Sequence, residues 1–161
     1  MPNIAKVMSH LSDTIDREVS LIVVSLIFLL SALLAVGVFF RYVLNDSIYW
    51  SGEVSRYILV YITFLGSTMA HRVKAHIRID IFFAHLSNES KKIINIIIAL
   101  SFIFFWMLVL IGSIKLYPFY MMQKTATLEI PYAIPFSALP ISAVIWIIYC
   151  LDDILKELTK V

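Results

Sequence analysis

The sequence RYVLNDSIYWSGEVSRYILVYITFLGSTMAHRVKAHIRID, residues 41–80, surrounds the second hydrophobic segment of the chain with charged side chains. Its uncharged part, residues 57–70, would form a helix of only about 21 Å, whereas the hydrocarbon core of a bilayer is roughly 30 Å thick. A helix that crosses the bilayer here must extend past its charged flanks, and residues 50–73 give about 36 Å. Glu53 and Arg56 then lie on one face near the membrane surface, where we expect polar contacts with each other or with a partner protein.

The composition of the whole chain is that of a membrane protein. Of its 161 residues, 61% are hydrophobic and 15% are charged, and the mean hydropathy is +0.91, whereas a soluble domain is about 45–50% apolar. The net charge of +2 is too small to indicate nucleic-acid binding. The single cysteine, Cys150, excludes an internal disulfide and a zinc or redox site built from paired cysteines, and we interpret it as a packing residue. The length indicates a single membrane domain over residues 1–161.

Three further segments are long and apolar enough to cross a bilayer. Residues 19–40, 93–114 and 130–151 each contain 22 residues without a charged side chain, or about 33 Å of helix. Together with residues 50–73, they predict an all-α integral membrane protein with four transmembrane helices and short interfacial helices. Residues 19–40 exceed the apolar region of a signal peptide and are followed by no small-x-small cleavage site, so we expect this span to be retained.

The connections between the spans are predicted separately. Residues 1–18 carry apolar side chains at steps of three or four, which predicts either an amphipathic helix on the membrane surface or a disordered tail. Residues 74–92 are predicted to form an interfacial helix or turn, because an isolated strand would leave its backbone unpaired. Residues 115–129 are predicted to be a loop and residues 152–161 a charged tail. The first half of the fourth span is predicted to be kinked by three prolines, Pro131, Pro135 and Pro140.

The positions of the basic residues predict the orientation in the membrane. Nine of the 13 Lys and Arg residues lie in the N-terminal segment, the second connection and the C-terminal segment. Because basic residues concentrate on the cytoplasmic side, both termini are predicted to be cytoplasmic and the first and third connections to face outward.

No catalytic or cofactor site is apparent in the sequence. The three long spans contain no ionisable residue apart from Tyr and Cys150, although ion carriers usually place such groups at membrane depth. There is no Ser-His-Asp order, phosphate loop or metal-ligand cluster. His71, His76 and His85 lie at or beyond a helix end beside cationic side chains, which disfavours a metal ion or haem. We therefore predict a non-enzymatic membrane subunit without a cofactor.

The flanks of the second span form a pattern that is specific to one kind of protein. Arg41 is followed by Trp50-x-x-Glu53-x-x-Arg56, then Phe64-Leu65-Gly66 and Ala70-x-Arg72-x-x-x-His76-Ile77-x-Ile79-Asp80. A looser part contains Thr125-Ala-Thr-Leu128-Glu-Ile130-Pro131 and Leu139-Pro140-Ile141. Over these residues the chain resembles the small membrane subunit, DctQ type, of tripartite ATP-independent periplasmic (TRAP) transporters. It departs from that family at Gly52, where a second acid is common, and at Ser142, where a glycine is usual.

The resemblance implies a system of three components in the bacterial inner membrane. A periplasmic binding protein captures an organic acid, such as a dicarboxylate or sialic acid, and a large membrane subunit moves it inward by a sodium-driven, elevator-like motion. The small subunit would act as a scaffold that enlarges the fixed part of the elevator. A chain that ends at Val161 without an added span implies that the large subunit is a separate chain.

Two groups of residues are candidates for contact in such a complex. The candidates for contact with the large subunit or with membrane lipids are Arg41, Trp50, Glu53, Arg56, Arg72, His76 and Asp80. The candidates for docking of the periplasmic protein are the outward-facing residues Asp46, Ser47, Lys115 and Lys124.

Other classes of membrane protein remain as alternatives. A small four-helix exporter would need a carboxylate in its first span, and residues 19–40 contain none. A membrane anchor of a haem-bearing oxidoreductase would need histidines within the spans, and the three long spans contain none. An anchor or assembly subunit of another inner-membrane complex is compatible with the sequence.

Overall fold

The computed structural model describes residues 2–73 and 88–159, and the predicted all-α fold is confirmed for them. The helices are α1 (Pro2–Tyr42), α2 (Ser51–Arg72), α3 (Asn88–Met122), α4 (Ala133–Phe136) and α5 (Ala138–Thr159). Within the described ranges, three helical stretches are long and apolar enough to cross a membrane: Lys6–Tyr42, Glu89–Met122 and Ala133–Thr159. Helix α2 has nearly the bounds predicted for the second span, although it is not among those three.

Helix α1 is continuous, so the prediction that residues 1–18 form a separate surface helix or a disordered tail is wrong. Its 41 residues give a helix of about 60 Å, twice the hydrocarbon thickness. Ile15 packs against the buried cluster that contains Val19 and Val23, and Ser12, one turn earlier on α1, is buried as well. The N-terminal turns are therefore helical because they extend the same packed face.

Helix α3 continues through residues 115–122, which the sequence analysis predicted to be loop. Pro118 lies inside this helix, where proline typically costs about 3 kcal/mol. Two contacts hold the end of α3 against the next element. The ring of Tyr120 packs on that of Phe136 at a centroid distance of 4.2 Å, and the amide of Tyr132 donates to the carbonyl of Gln123 at 2.9 Å.

The predicted irregularity of the fourth span is confirmed, whereas the predicted C-terminal tail is not. The chain forms the short helix α4, turns at Ser137 and then begins α5. The hydroxyl of Tyr61 in α2 lies 2.7 Å from the carbonyl of Ile134 and 2.6 Å from Oγ of Ser137, and thus provides hydrogen bonds at the break. Beyond the apolar run, α5 continues to Thr159, so most of the predicted tail is helix.

Helix α5 lies at the centre of the bundle and packs against α1, α2 and α3. It contributes to two buried clusters. The first joins α5 to α1 and α2 and consists of Val19, Val23, Leu65, Ile145 and Tyr149. The second joins α5 to α3 and consists of Ala99, Trp106, Ala143, Trp146 and Cys150. Cys150 is fully buried in the second cluster, so it packs as predicted. Many large apolar side chains of α1 and α3 are exposed, as in a protein surrounded by lipid.

Candidate functional site

Two polar clusters tie α2 to the rest of the bundle, one at each end of the helix. The first, the Glu53 cluster, consists of Glu53, Tyr57, Thr125 and Thr127. Glu53 lies in the first turn of α2 with its side chain buried, and one carboxylate oxygen accepts a hydrogen bond from the amide of Thr127 at 2.8 Å. The other oxygen accepts the hydroxyl of Tyr57. Both carboxylate oxygens thus have a donor, which a buried charge requires.

The segment that Glu53 holds is a tight hairpin after α3. The amide of Thr125 donates to the carbonyl of Ile130 at 2.8 Å, and the amide of Ile130 donates to the hydroxyl of Thr125 at 3.2 Å. Glu129 has a φ of 53°, in the left-handed region that closes the turn. The hairpin therefore reaches back to α2 through Thr127 and covers the first turn of that helix.

Glu53 and Arg56 are not paired with each other, so that part of the prediction is wrong. The two donors Tyr57 and Thr127 take up both carboxylate oxygens. Arg56 is exposed, and its Nε donates to the backbone carbonyl of Gly52 at 3.1 Å. A local spacing of three residues suggested the pair, but the amide that binds Glu53 is 74 residues away in the chain.

Glu53 and Arg56 instead line one groove between α2, the end of α3 and the start of the α4–α5 segment. The groove has a volume of about 480 Å³. Its wall is mostly apolar or aromatic, and it is formed by Glu53, Arg56, Tyr57, Val60, Phe64, Tyr120, Ala126, Tyr132, Pro135, Phe136 and Leu139.

The second cluster, the Arg72 cluster, joins three helices and consists of Asp13, Arg72, Asp152 and Lys156. One Nη atom of Arg72 lies 2.5 Å from Asp152, and the other is paired with Asp13 of α1. Lys156 lies 2.7 Å from the same oxygen of Asp152, whose side chain is fully buried. The guanidinium carbon of Arg72 lies 5.4 Å from the ring centroid of Tyr149, a cation–π distance. The last turn of α2 is therefore fixed to both α1 and α5.

Next to this cluster, His71 belongs to an aromatic stack. Its ring centroid lies 4.5 Å from that of Trp146, and its Nε2 lies 3.1 Å from a carboxylate oxygen of Asp153. Trp146 is also stacked on Trp106 at 5.4 Å and on Phe102 at 5.2 Å. These contacts agree with the interpretation of His71 as a structural residue. No group of three metal-ligating side chains occurs among the described residues.

Sequence reasoning missed the partners of Arg72 and Glu53. Asp13 was assigned to a surface segment and Asp152 to a tail, since charges at the ends of apolar runs usually mark loops. The spacing of Asp152 and Lys156, four residues apart, was a signal that the helix continues. Thr127 lies in the looser part of the family pattern, but nothing local indicates that its backbone amide binds Glu53.

The other predicted contact residues are not members of these two clusters, although the carbonyl of Trp50 accepts the amide of Glu53 at 3.1 Å and Lys124 directly precedes Thr125. Those that the structure describes are exposed: Arg41 in the last turn of α1, Asp46 and Ser47 in the first connection, Trp50 just before α2, Lys115 in α3 and Lys124 in the hairpin. His76 and Asp80 lie outside the described residues.

Most of the chain, including α2, matches one family of known proteins. The sequence profile described as "Tripartite ATP-independent periplasmic transporters, DctQ component" matches residues 30–160. This chain belongs to the DctQ family. Both parts of the pattern around Glu53 and Arg72 lie inside the matched region. Family membership and the apolar helices make the chain a multi-pass protein of the bacterial inner membrane.

The chain is also similar to individual TRAP transporter permease proteins. The chain is 33% identical to the ectoine TRAP transporter small permease protein TeaB of Halomonas elongata, over 55% of this chain and 46% of that protein. It is 31% identical to the isethionate TRAP transporter permease protein DctMQ of Oleidesulfovibrio alaskensis, over 65% of this chain and 17% of that protein. A putative TRAP transporter small permease protein of Haemophilus influenzae is 25% identical over 96% of this chain and 89% of its own length. A second protein with that description in Haemophilus influenzae is 26% identical, and the chain spans 66% of it.

Proposed function

We propose that this DctQ-family chain is the small, non-catalytic membrane subunit of a TRAP transporter and that it holds the large elevator-type permease subunit in place. The proposal rests on the two polar clusters, one at each end of α2, that bind this helix to the rest of the bundle. A scaffold needs helices that keep their mutual positions while a partner moves against them. The exposed apolar faces of α1 and α3 supply surface for lipid and for that partner.

The transporter would take up an organic acid, delivered by a periplasmic binding protein and driven by a sodium gradient. The substrate class extends from dicarboxylates and sialic acid to the compounds in the relatives' names, isethionate and ectoine. Selectivity for the transported substrate is assigned to the binding protein and the large subunit.

We also propose that α2 is a fourth span and that both termini are cytoplasmic. Its 22 residues give about 33 Å of helix, enough to cross the hydrocarbon core. Because Glu53 and Arg72 have internal partners, neither has to reach bulk water from the ends of the span. In this orientation the Glu53 cluster faces the periplasm and the Arg72 cluster the cytoplasm. Reporter domains fused to each terminus test this, and a terminus found outside contradicts it.

Uptake by a reconstituted system tests the main proposal. The large subunit and its binding protein, without this chain, should accumulate substrate only at background level, and adding the chain should restore sodium-dependent uptake. The chain should co-purify with the large subunit, and exchanging the exposed residues Arg41 and Trp50 for Ala together should weaken that association. Accumulation by this chain without the large subunit would contradict a scaffolding role.

The exposed residues of the outward connections are proposed to dock the binding protein. Exchanging Asp46, Ser47, Lys115 and Lys124 for Ala should raise the concentration of binding protein needed for half-maximal uptake. The amount of co-purified large subunit should stay unchanged, because these exposed side chains are not members of either polar cluster. An unchanged dependence on the binding protein would rule out docking at this surface.

A further inference from the structure

The groove beside α2 combines an apolar lining with one exposed charge. Its volume of about 480 Å³ is within the range of roughly 300–1,000 Å³ that is typical of sites for small organic molecules. Val60, Phe64 and Leu139 line its apolar part. Of its two charged residues, Glu53 is buried and only Arg56 is exposed. The groove therefore suits an elongated apolar group attached to an anion.

The charge of Arg56 is available to such a ligand. Within residues 6–73 and 89–159, no ion pair includes Arg56, and its one hydrogen bond uses Nε. The neighbouring carboxylate of Glu53 is already engaged by Thr127 and Tyr57. The Nη atoms of Arg56 can thus bind a phosphate oxygen, a geometry that guanidinium groups favour.

With α2 as a span, as proposed above, the groove lies at the depth of the lipid phosphates. Arg56 is in the second turn of α2, and the tyrosines around it, Tyr57, Tyr120 and Tyr132, are of the type that concentrates at the membrane interface. Phe64 is eight residues further along α2, about 12 Å deeper into the span. A cation at headgroup level above an apolar channel matches the layout of a phospholipid.

We propose that this groove binds one glycerophospholipid, with its phosphate on Arg56 and one acyl chain along Val60, Phe64 and Leu139. A helix of a partner protein fits this groove less well. An α-helix is about 10–12 Å wide and packs closely where small side chains line the contact, whereas Phe64, Tyr120 and Phe136 occupy this wall. The inference rests on the proposal that α2 is a membrane span and does not depend on the proposed transport role.

The site is tested by native mass spectrometry of this chain, which is co-expressed with the large subunit and then purified. Dioleoylphosphatidylglycerol is titrated into the detergent solution, and the bound lipid per chain is counted. The wild type should retain one molecule, and Arg56→Gln should lower its retention about fivefold, the effect expected for one basic residue near a membrane surface. Arg17→Gln is the matched control, since Arg17 is also an exposed arginine but lies on α1 at the opposite end of the bundle, and it should retain the wild-type amount.

A second variant separates the acyl-chain site from the charge. Val60→Phe narrows the groove and leaves Arg56 in place, so it too should lower lipid retention, while the melting temperature reports whether the bundle is intact. The proposal is overturned if the wild type and Arg56→Gln retain equal amounts of lipid, or if Arg56→Gln and Arg17→Gln lose equal amounts. So does cross-linking of a Val60→Cys variant to the large subunit in a complex that retains no lipid, which would assign the groove to a protein partner.

Discussion

Replacing Arg72 with methionine is expected to destabilise the bundle by about 3 kcal/mol, the lower end of the cost of removing one partner of a buried ion pair. The side chain of Asp152 is fully buried, and that of Arg72 is 13% exposed. Without Arg72 the carboxylate of Asp152 still has Lys156 as a cationic partner among the described residues, and for this reason we expect the lower end of the cost. The measurement is the thermal unfolding of the detergent-solubilised protein, followed by tryptophan fluorescence.

Two other members of the cluster provide controls for Arg72→Met. Asp13→Asn and Lys156→Met remove side chains that are 69% and 41% exposed, so each should cost less than about 1 kcal/mol. The double variant Arg72→Met, Asp152→Leu should be more stable than Arg72→Met alone, because it no longer buries a poorly paired carboxylate. If Arg72→Met melts at the same temperature as Lys156→Met, the cluster does not hold the helices together.

Trp146→Ala is expected to have a comparable effect, about 3–5 kcal/mol, because it leaves a cavity between α2, α3 and α5. Trp146 is 2% exposed and stacks on Trp106, Phe102 and His71. Loss of dispersion contacts accounts for the cost even in lipid, where the hydrophobic effect between helices is absent. The same unfolding assay, with size-exclusion chromatography after heating, measures it.

Variants that change one contact at a time check this explanation. Trp146→Phe keeps a ring in the stack but loses the hydrogen bond from Nε1 to Oγ of Ser67, 3.1 Å long, and should cost about 1 kcal/mol or slightly more. Phe104→Ala removes a ring that is 68% exposed on α3 and should change stability little. A Trp146→Ala protein as stable as Phe104→Ala would show that the stack contributes nothing.

The helices could be predicted from the sequence, whereas their ends could not. A run of about 20 apolar residues has few ways to satisfy its backbone in lipid, so the spans at residues 19–40 and 93–114 follow from composition. Charges at the ends of the runs predict loops and tails. In the structure those charges neutralise each other between helices, as Asp13 and Asp152 do with Arg72, and the helices extend to include them.

The site was predicted in part, for a similar reason. The sequence pattern and the family resemblance identified Glu53, Arg56 and Arg72 as candidates. The spacing of Glu53 and Arg56 along one helix suggested that they pair with each other, and the structure does not contain this pair. Long-range partners such as the amide of Thr127 are invisible to local reasoning. The central position of α5 was missed as well, although its small residues Ala138, Ser142 and Ala143, all fully buried, are typical of a closely packed membrane helix.

In the proposed scaffold, the length of α1 has a mechanical consequence. A rod of about 60 Å that passes through a slab half as thick can tilt under sideways load unless something grips it away from its midpoint. The bond between Asp13 and Arg72 provides such a grip near one end, and the packing of Val19 and Val23 provides a second further along. A sideways force on α1 is thereby resisted at two separate points along this helix.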